Sequence, residues 1–132
     1  MLKTISTTLA VTLAFLATQL NAADYGAADI DTMRQTSQEN RLRYERDFQG
    51  RSIRVIGTFK GLNEHVFGDE LWVDFGVSGS RSDVHCVLIN RRSPLADLLI
   101  DANLGDQFSV SGIISIDFFG ALEVSDCNIQ PV

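Results

Sequence analysis

Lysine is almost missing from this chain. Lys3 and Lys60 are the only two, and Lys and Arg together number 11 against 17 Asp and Glu, for a formal net charge of −6 over 132 residues. A nucleic-acid binder gains affinity by neutralising phosphates with basic side chains, so this balance argues against nucleic acid as a partner and leaves room only for a local patch. Cysteine is scarce too. Cys86 and Cys127 stand far apart, with no C-x-x-C motif of a redox pair. His65 and His85 have no short-spaced partners of the kind that announce a zinc site, so they read as ordinary histidines and no metal is expected. Gly76-Val77-Ser78-Gly79-Ser80 lacks the G-x-S-x-G nucleophile elbow and reads as a hairpin turn. A phosphate loop and a dinucleotide fingerprint are also missing, so no cofactor is expected and the chain does not read as an enzyme. It has no internal repeat, low-complexity tract or second domain.

The N-terminus has a different character. Lys3 is followed by the apolar run Leu9 to Ala17, and Gln19-Leu20-Asn21-Ala22 ends in a small residue suited to signal peptidase. The run falls short of the roughly 20 apolar residues that a spanning helix needs. Residues 1–22 therefore read as a signal peptide, with no membrane span after its removal, and residues 23–132 as one small domain, periplasmic or secreted. Loss of Lys3 makes the mature chain one charge more acidic. No cysteine stands at the cleavage region to carry a lipid.

The rest is organised around Gly50 to Phe59. Ile53, Val55, Gly57 and Phe59 share one face, and Ser52, Arg54, Thr58 and Lys60 the other, with Ile56 the one apolar residue on the polar side. This period of two predicts a strand with one wet face, and Gly57 in its middle predicts sharp coiling. Before it, Ile30, Met33, Ser37, Asn40 and Tyr44 form a weak helical stripe. Asp29 or Asp31 is the expected cap, and Glu39/Arg43, Arg41/Glu45 and Arg43/Asp47 form i,i+4 pairs on a solvated face. After it, Gly61 to Gly68 reads as a loop containing Glu64, His65 and Phe67. Asp69 to Val77 is the second strand, with Leu71, Val73, Phe75 and Val77 inward and Trp72 and Asp74 outward. Asp83 to Ile89 is the third, with Val84, Cys86 and Leu88 on one face and His85, Val87 and Ile89 on the other. Ser93-Pro94 starts a second helix with Leu95, Leu98, Leu99 and Ala102 on one side, and Gly105 stops it. Gln107 to Phe118 is the fourth strand, its inward face running from Phe108 through Val110, Gly112, Ile114 and Ile116 to Phe118. Ala121 to Gln130 is the fifth. A bulge is expected near Ser125-Asp126, because Leu122 and Val124 are out of phase with Cys127 and Ile129.

The fold class is therefore all-β: a five-stranded OB-fold barrel with an N-terminal helix and one helix between strands three and four. In that fold the third and fifth strands are neighbours, which would set Cys86 beside Cys127. In an oxidising compartment the two read as one disulfide. The alternatives are two buried thiols or a redox pair.

Several residues also resemble a family. Asn40, Tyr44, Phe48, Gly50, Arg51, Val55 and Gly57-Thr58-Phe59, then Val84-His85-Cys86, Leu104-Gly105-Asp106, Val110-Ser111-Gly112, Leu122 and Asp126-Cys127-Asn128-Ile129 look like the exported bacterial OB-fold proteins of the tRNA_anti-like family, over about residues 38–130. The resemblance implies the fold and brings no catalytic residues with it.

The candidate ligand-binding residues follow from the OB-fold expectation. OB folds bind over strands two and three, flanked by the first-to-second and fourth-to-fifth strand loops. Trp72 and His85 fall on that face, Phe67 in the first loop and Phe119 in the second, and aromatic platforms stack on bases or sugars. The competing expectation places Trp72 under the N-terminal helix and Phe119 in the barrel end. The expected partner is a protein or small ligand. An oligosaccharide or peptidoglycan is the second reading, and single-stranded nucleic acid the third.

Overall fold

The structure is a computed structural model that describes residues 22–64, 68–115 and 122–132, apart from the Leu88 side chain. In chain order its elements are β1 (Ala23–Asp24), α1 (Ala27–Glu39), α2 (Arg41–Asp47), β2 (Ser52–Glu64), β3 (Glu70–Gly76), β4 (Asp83–Asn90), α3 (Pro94–Ile100), β5 (Gln107–Ile114) and β6 (Leu122–Pro131). None of the described helices is long and apolar enough to cross a membrane. The expected segment 1–21 lies outside the described residues.

The sheet order is β1-β2-β3-β4-β6-β5, and β2 also pairs with β5, so β2 to β6 close into a ring. Every junction of the ring is antiparallel except one. β4 and β6 run parallel, and only over Val84–Cys86 against Leu122–Val124. This mostly β ring, with a helix between its third and fourth strands, is OB-like, as the order of elements predicts. Ile53, Val55 and Phe59 of β2 point inward as expected, together with Leu71, Val73, Phe75, Val84, Phe108, Val110, Ile114 and Val124, while Ile56 is 50% exposed. Phe59, Phe75 and Phe108 meet edge to face at the core, with ring centroids 5.9 to 6.4 Å apart.

The helices plug both ends of the ring. Ile30 and Met33 of α1 and Tyr44 of α2 join the core. Asp31 accepts a 2.6 Å hydrogen bond from Ser80 Oγ in the β3–β4 turn, and the Tyr44 hydroxyl donates to the Ser115 carbonyl at 3.1 Å. At the opposite end Ala96 and Leu99 of α3 are buried. Ser93 caps this helix, accepting from the Ala96 N–H at 3.2 Å, and Pro94 fills the first turn. Gly105 ends the connection at φ 94°, a left-handed conformation that glycine adopts without steric cost.

The structure corrects the sequence reading at several points. The N-terminal helix is two helices. Asn40, read as part of the apolar stripe, is exposed at φ −155° and accepts from the Arg43 N–H at 3.0 Å, so it ends α1 and caps α2. Of the expected charge pairs, Arg41–Glu45 forms at 3.3 Å, while Asp47 binds its neighbour Arg46 at 2.7 Å. Gly26 is the residue that caps α1, and Asp29 reaches back to its N–H at 2.9 Å. β2 continues to Glu64, through residues read as a loop, after a bulge at Lys60 lets Gly61 pair with Asp74. In β4, Val87 and Leu88 together oppose Trp72, which reverses the phase and turns Ile89 into the core. The bulge expected at Ser125-Asp126 is present. Ser111 pairs with Asn128 and Ile113 with Ser125, leaving Gly112 opposite Asp126 and Cys127, with Asp126 at φ 51°. The fourth strand is expected to reach Phe118; β5 ends at Ile114, and residues 116–118 lie outside the described residues.

β1 is an addition the sequence reading does not contain. Ala23 and Asp24 lie parallel to Ile53 and Arg54, and the Tyr25 N–H donates to the Arg54 carbonyl at 2.8 Å. Arg54 Nε binds Asp24 at 2.6 Å, and this hydrogen bond holds the Asp24 carboxyl below the usual carboxylate range.

At Gly57 the strand passes close to its neighbour. A Cβ there would lie 2.7 Å from the Phe75 Cβ. Gly57→Ala forces the two strands apart in a packed core and is expected to cost about 1–3 kcal/mol. A urea titration reads the loss as a lowered midpoint, and an unchanged midpoint would show that the ring yields there.

Candidate functional site: the outer face of β2, β3 and β4

The side chains that the ring turns outward on β2, β3 and β4 form one continuous surface. Asn63 stands directly across from Trp72, and Gly61 across from Asp74. Asp74 stands across from His85, and Gly76 from Asp83. Strand alternation, reset by the bulge at Lys60, puts Asn63, Trp72, Asp74 and His85 on the same side.

Asp74 ties the three strands together. Its Oδ2 accepts from Asn63 Nδ2 at 2.9 Å, and its Oδ1 takes up His85 Nδ1. The His85 and Asp74 side chains are 23% and 24% exposed, so the pair is sheltered but reachable. A carboxylate at Nδ1 fixes the ring orientation and leaves Nε2 as the nitrogen for a further partner. Lys60 arches over Gly76 and places Nζ 3.0 and 3.1 Å from the two oxygens of Asp83. Lys60 is thus matched by a carboxylate on this face. Glu64, across from the buried Leu71 and so in the opposite phase, has Oε1 3.2 Å from Arg91 Nη2 at the end of the ring.

Trp72 is half-buried, as is His85. The N-terminal helices meet the sheet elsewhere. α1 bonds to Ser80 and Ser82, beyond the end of β3 that is remote from Trp72. Phe67 and Phe119 lie outside the described residues, as does His65, so the two flanking loops take no part in this description. Asn63 and Asp74 were not singled out from the sequence. For Asp74 a signal existed: it is two residues from Trp72 in the same strand phase. Asn63 gave none, because Gly61 and Asn63 are poor strand formers and hide the extension of β2.

Cys86 and Cys127 form a disulfide, with Cα atoms 6.1 Å apart. It spans the place where β4 and β6 part beyond their short parallel pairing. Val87, Ile89, Ser93, Leu95 and Asp126 line a depression of about 270 Å³ there. Another, of about 410 Å³, lies between the end of α3 and Phe108 and Pro131. Neither depression brings a histidine to a hydroxyl or thiol. Among the described residues no three metal-ligating side chains converge.

No protein-family model matches the chain, and no curated protein does. Among solved structures the chain is similar to that of a "putative nucleic acid-binding lipoprotein" from Klebsiella pneumoniae. The TM-score is 0.61 at 10% identity, over 82% of this chain and 91% of that one. A likeness at that identity speaks to the fold alone.

Proposed function

We propose that this chain is an exported, non-catalytic binding domain, built as a five-stranded OB-fold barrel, whose ligand lies on the outer face of β2, β3 and β4. One observation carries the reading. The only tryptophan of the chain is set among ordered polar groups, Asn63, Asp74 and His85, on the surface that OB folds use for recognition. Export is supported by the apolar run before Ala22 and by the Cys86–Cys127 bridge, which suits an oxidising compartment. The resemblance to exported tRNA_anti-like proteins agrees with both. Absence of catalysis is part of the proposal, since among the described residues His85 has a carboxylate partner and no hydroxyl or thiol bonded to it.

The Klebsiella protein's description brings a second reading, single-stranded nucleic acid. That reading needs a continuous positive groove, whereas Lys60 is held by Asp83 and the chain is acidic. A protein or small ligand fits the face better.

The test uses the mature domain and its Trp72→Ala variant as paired baits in periplasmic extract. The variant is expected to stay folded by circular dichroism and to lose the ligand at least about tenfold, since one anchoring aromatic can dominate an interface. Equal retention by the two baits would remove this face from the account. Binding of an oligo-dT strand that weakens steeply with salt would favour the nucleic-acid reading instead.

A further inference from the structure

We infer that the exposed side of α2 docks on a bilayer surface carrying anionic lipid headgroups. This goes beyond the reading of the outer face and shares no residue with it. The aromatic side chains of the segment are turned to the protein. Tyr44 is buried, and Phe48, just past the helix, packs against the core beside it with ring centroids 5.9 Å apart. At about 3.6 residues per turn, the opposite side of the helix is Leu42 and Arg46, one turn apart, with Arg43 next to them. Leu42 is 77% exposed, so a large apolar side chain is held out into water among arginines.

Positive charge collects on the same segment. Residues 41–51 hold Arg41, Arg43, Arg46 and Arg51 against Glu45 and Asp47, a surplus of cations in a chain whose formal charge is −6. Arg41 is matched by Glu45 at 3.3 Å, and Arg46 by the two oxygens of Asp47 at 2.7 and 3.1 Å. Arg43 and Arg51 are exposed, and among the described residues their guanidinium groups bond to nothing. Both still act on Asp47. The Arg46 hydrogen bond, and after it the charges of Arg46, Arg51 and Arg43, hold that carboxyl below the usual carboxylate range. Glu39, the last residue of α1, is engaged with Gln35 at 2.8 Å. Three guanidinium groups thus gather around one carboxylate, and two of them are free for an anion.

Leucine and arginine together select the partner. Guanidinium groups pair bidentately with phosphate oxygens. A nucleic acid supplies phosphates but leaves Leu42 in water, and its bases find no ring to stack on, because Tyr44 and Phe48 face inward. A bilayer interface supplies phosphates at the level of the headgroups and an apolar boundary just beneath, which matches both kinds of side chain. At seven residues α2 lies on such a surface and does not span it. Two free arginines and one leucine give weak, reversible docking.

The test is flotation of the mature domain with vesicles of phosphatidylcholine alone and of phosphatidylcholine mixed with phosphatidylglycerol. The expected result is binding to the mixed vesicles only, lost at high salt. Changing Arg43→Gln and Arg51→Gln together is expected to weaken it at least about tenfold, and Leu42→Ser several-fold. Both variants are expected to keep the parent's thermal melt, since all three positions are exposed. Trp72→Ala is expected to float as the parent does, which separates this surface from the outer face. No binding to the mixed vesicles, or equal binding by the arginine variant, would overturn the inference. So would loss of flotation in Trp72→Ala alone. Capture of an oligo-dT strand or of polyglutamate through Arg43 and Arg51, with Leu42→Ser as tight as the parent, would give the patch to a soluble polyanion and overturn the bilayer.

Discussion

Val55→Asp is expected to leave no folded protein at room temperature. Val55 is 2% exposed in the first half of β2, directly across from Val110 of β5. Among the described residues no charged side chain is buried, so a carboxylate there goes unpaired, and burying it costs several kcal/mol, against a margin of about 5–15 kcal/mol for a whole domain. Its neighbour makes the control. Arg54 faces outward and binds only the exposed Asp24, so Arg54→Ala is expected to change stability by no more than about half a kcal/mol while loosening β1. Far-ultraviolet circular dichroism with heating separates the two. A cooperative melt for Val55→Asp near that of the wild type would show that the strand phase argued above is mistaken.

Reduction of the Cys86–Cys127 bridge is the second large effect. The bridge closes a loop of 41 positions, for which the chain-entropy argument gives about 4 kcal/mol. That is a large share of the stability of a small domain. The urea midpoint is expected to fall sharply on adding a reductant, and in a Cys86→Ala, Cys127→Ala double variant as well. The unreduced protein, denatured, should label with no thiol reagent. Coincident midpoints with and without reductant would show that packing at the seam suffices alone.

The ring was legible because its strands are half wet. Ile53, Val55 and Phe59, or Leu71, Val73 and Phe75, announce a face by alternation, and that face is the buried one. Bulges break this signal, and they account for most of what was missed. At Val87-Leu88 the extra residue turned Ile89 inward, and nothing in an apolar run marks where a phase slips. The bulge at Asp126 was legible because the phase conflict between Val124 and Ile129 was visible on both sides of a polar pair. Asn40 misled for another reason: its spacing fitted the helical stripe, while its chemistry, an amide that prefers to cap, decided the outcome. Of the outer face, Trp72 and His85 could be placed from alternation alone. The sharing of Asp74 between Asn63 and His85 depends on the cross-strand register, which only the folded sheet defines.

The ring also imposes an order of events. β6 is the last strand, and it supplies two of the five junctions, one with β5 and the only parallel one with β4. Until Leu122–Pro131 has arrived, β4 and β5 each carry a bare edge and the core stays open to water. Contacts between segments so far apart in sequence form slowly, because the loop between them must close first. A chain emerging from its N-terminus therefore cannot complete this domain stepwise. It acquires its finished shape only once the last strand is in place, so closure of the ring is a single late event.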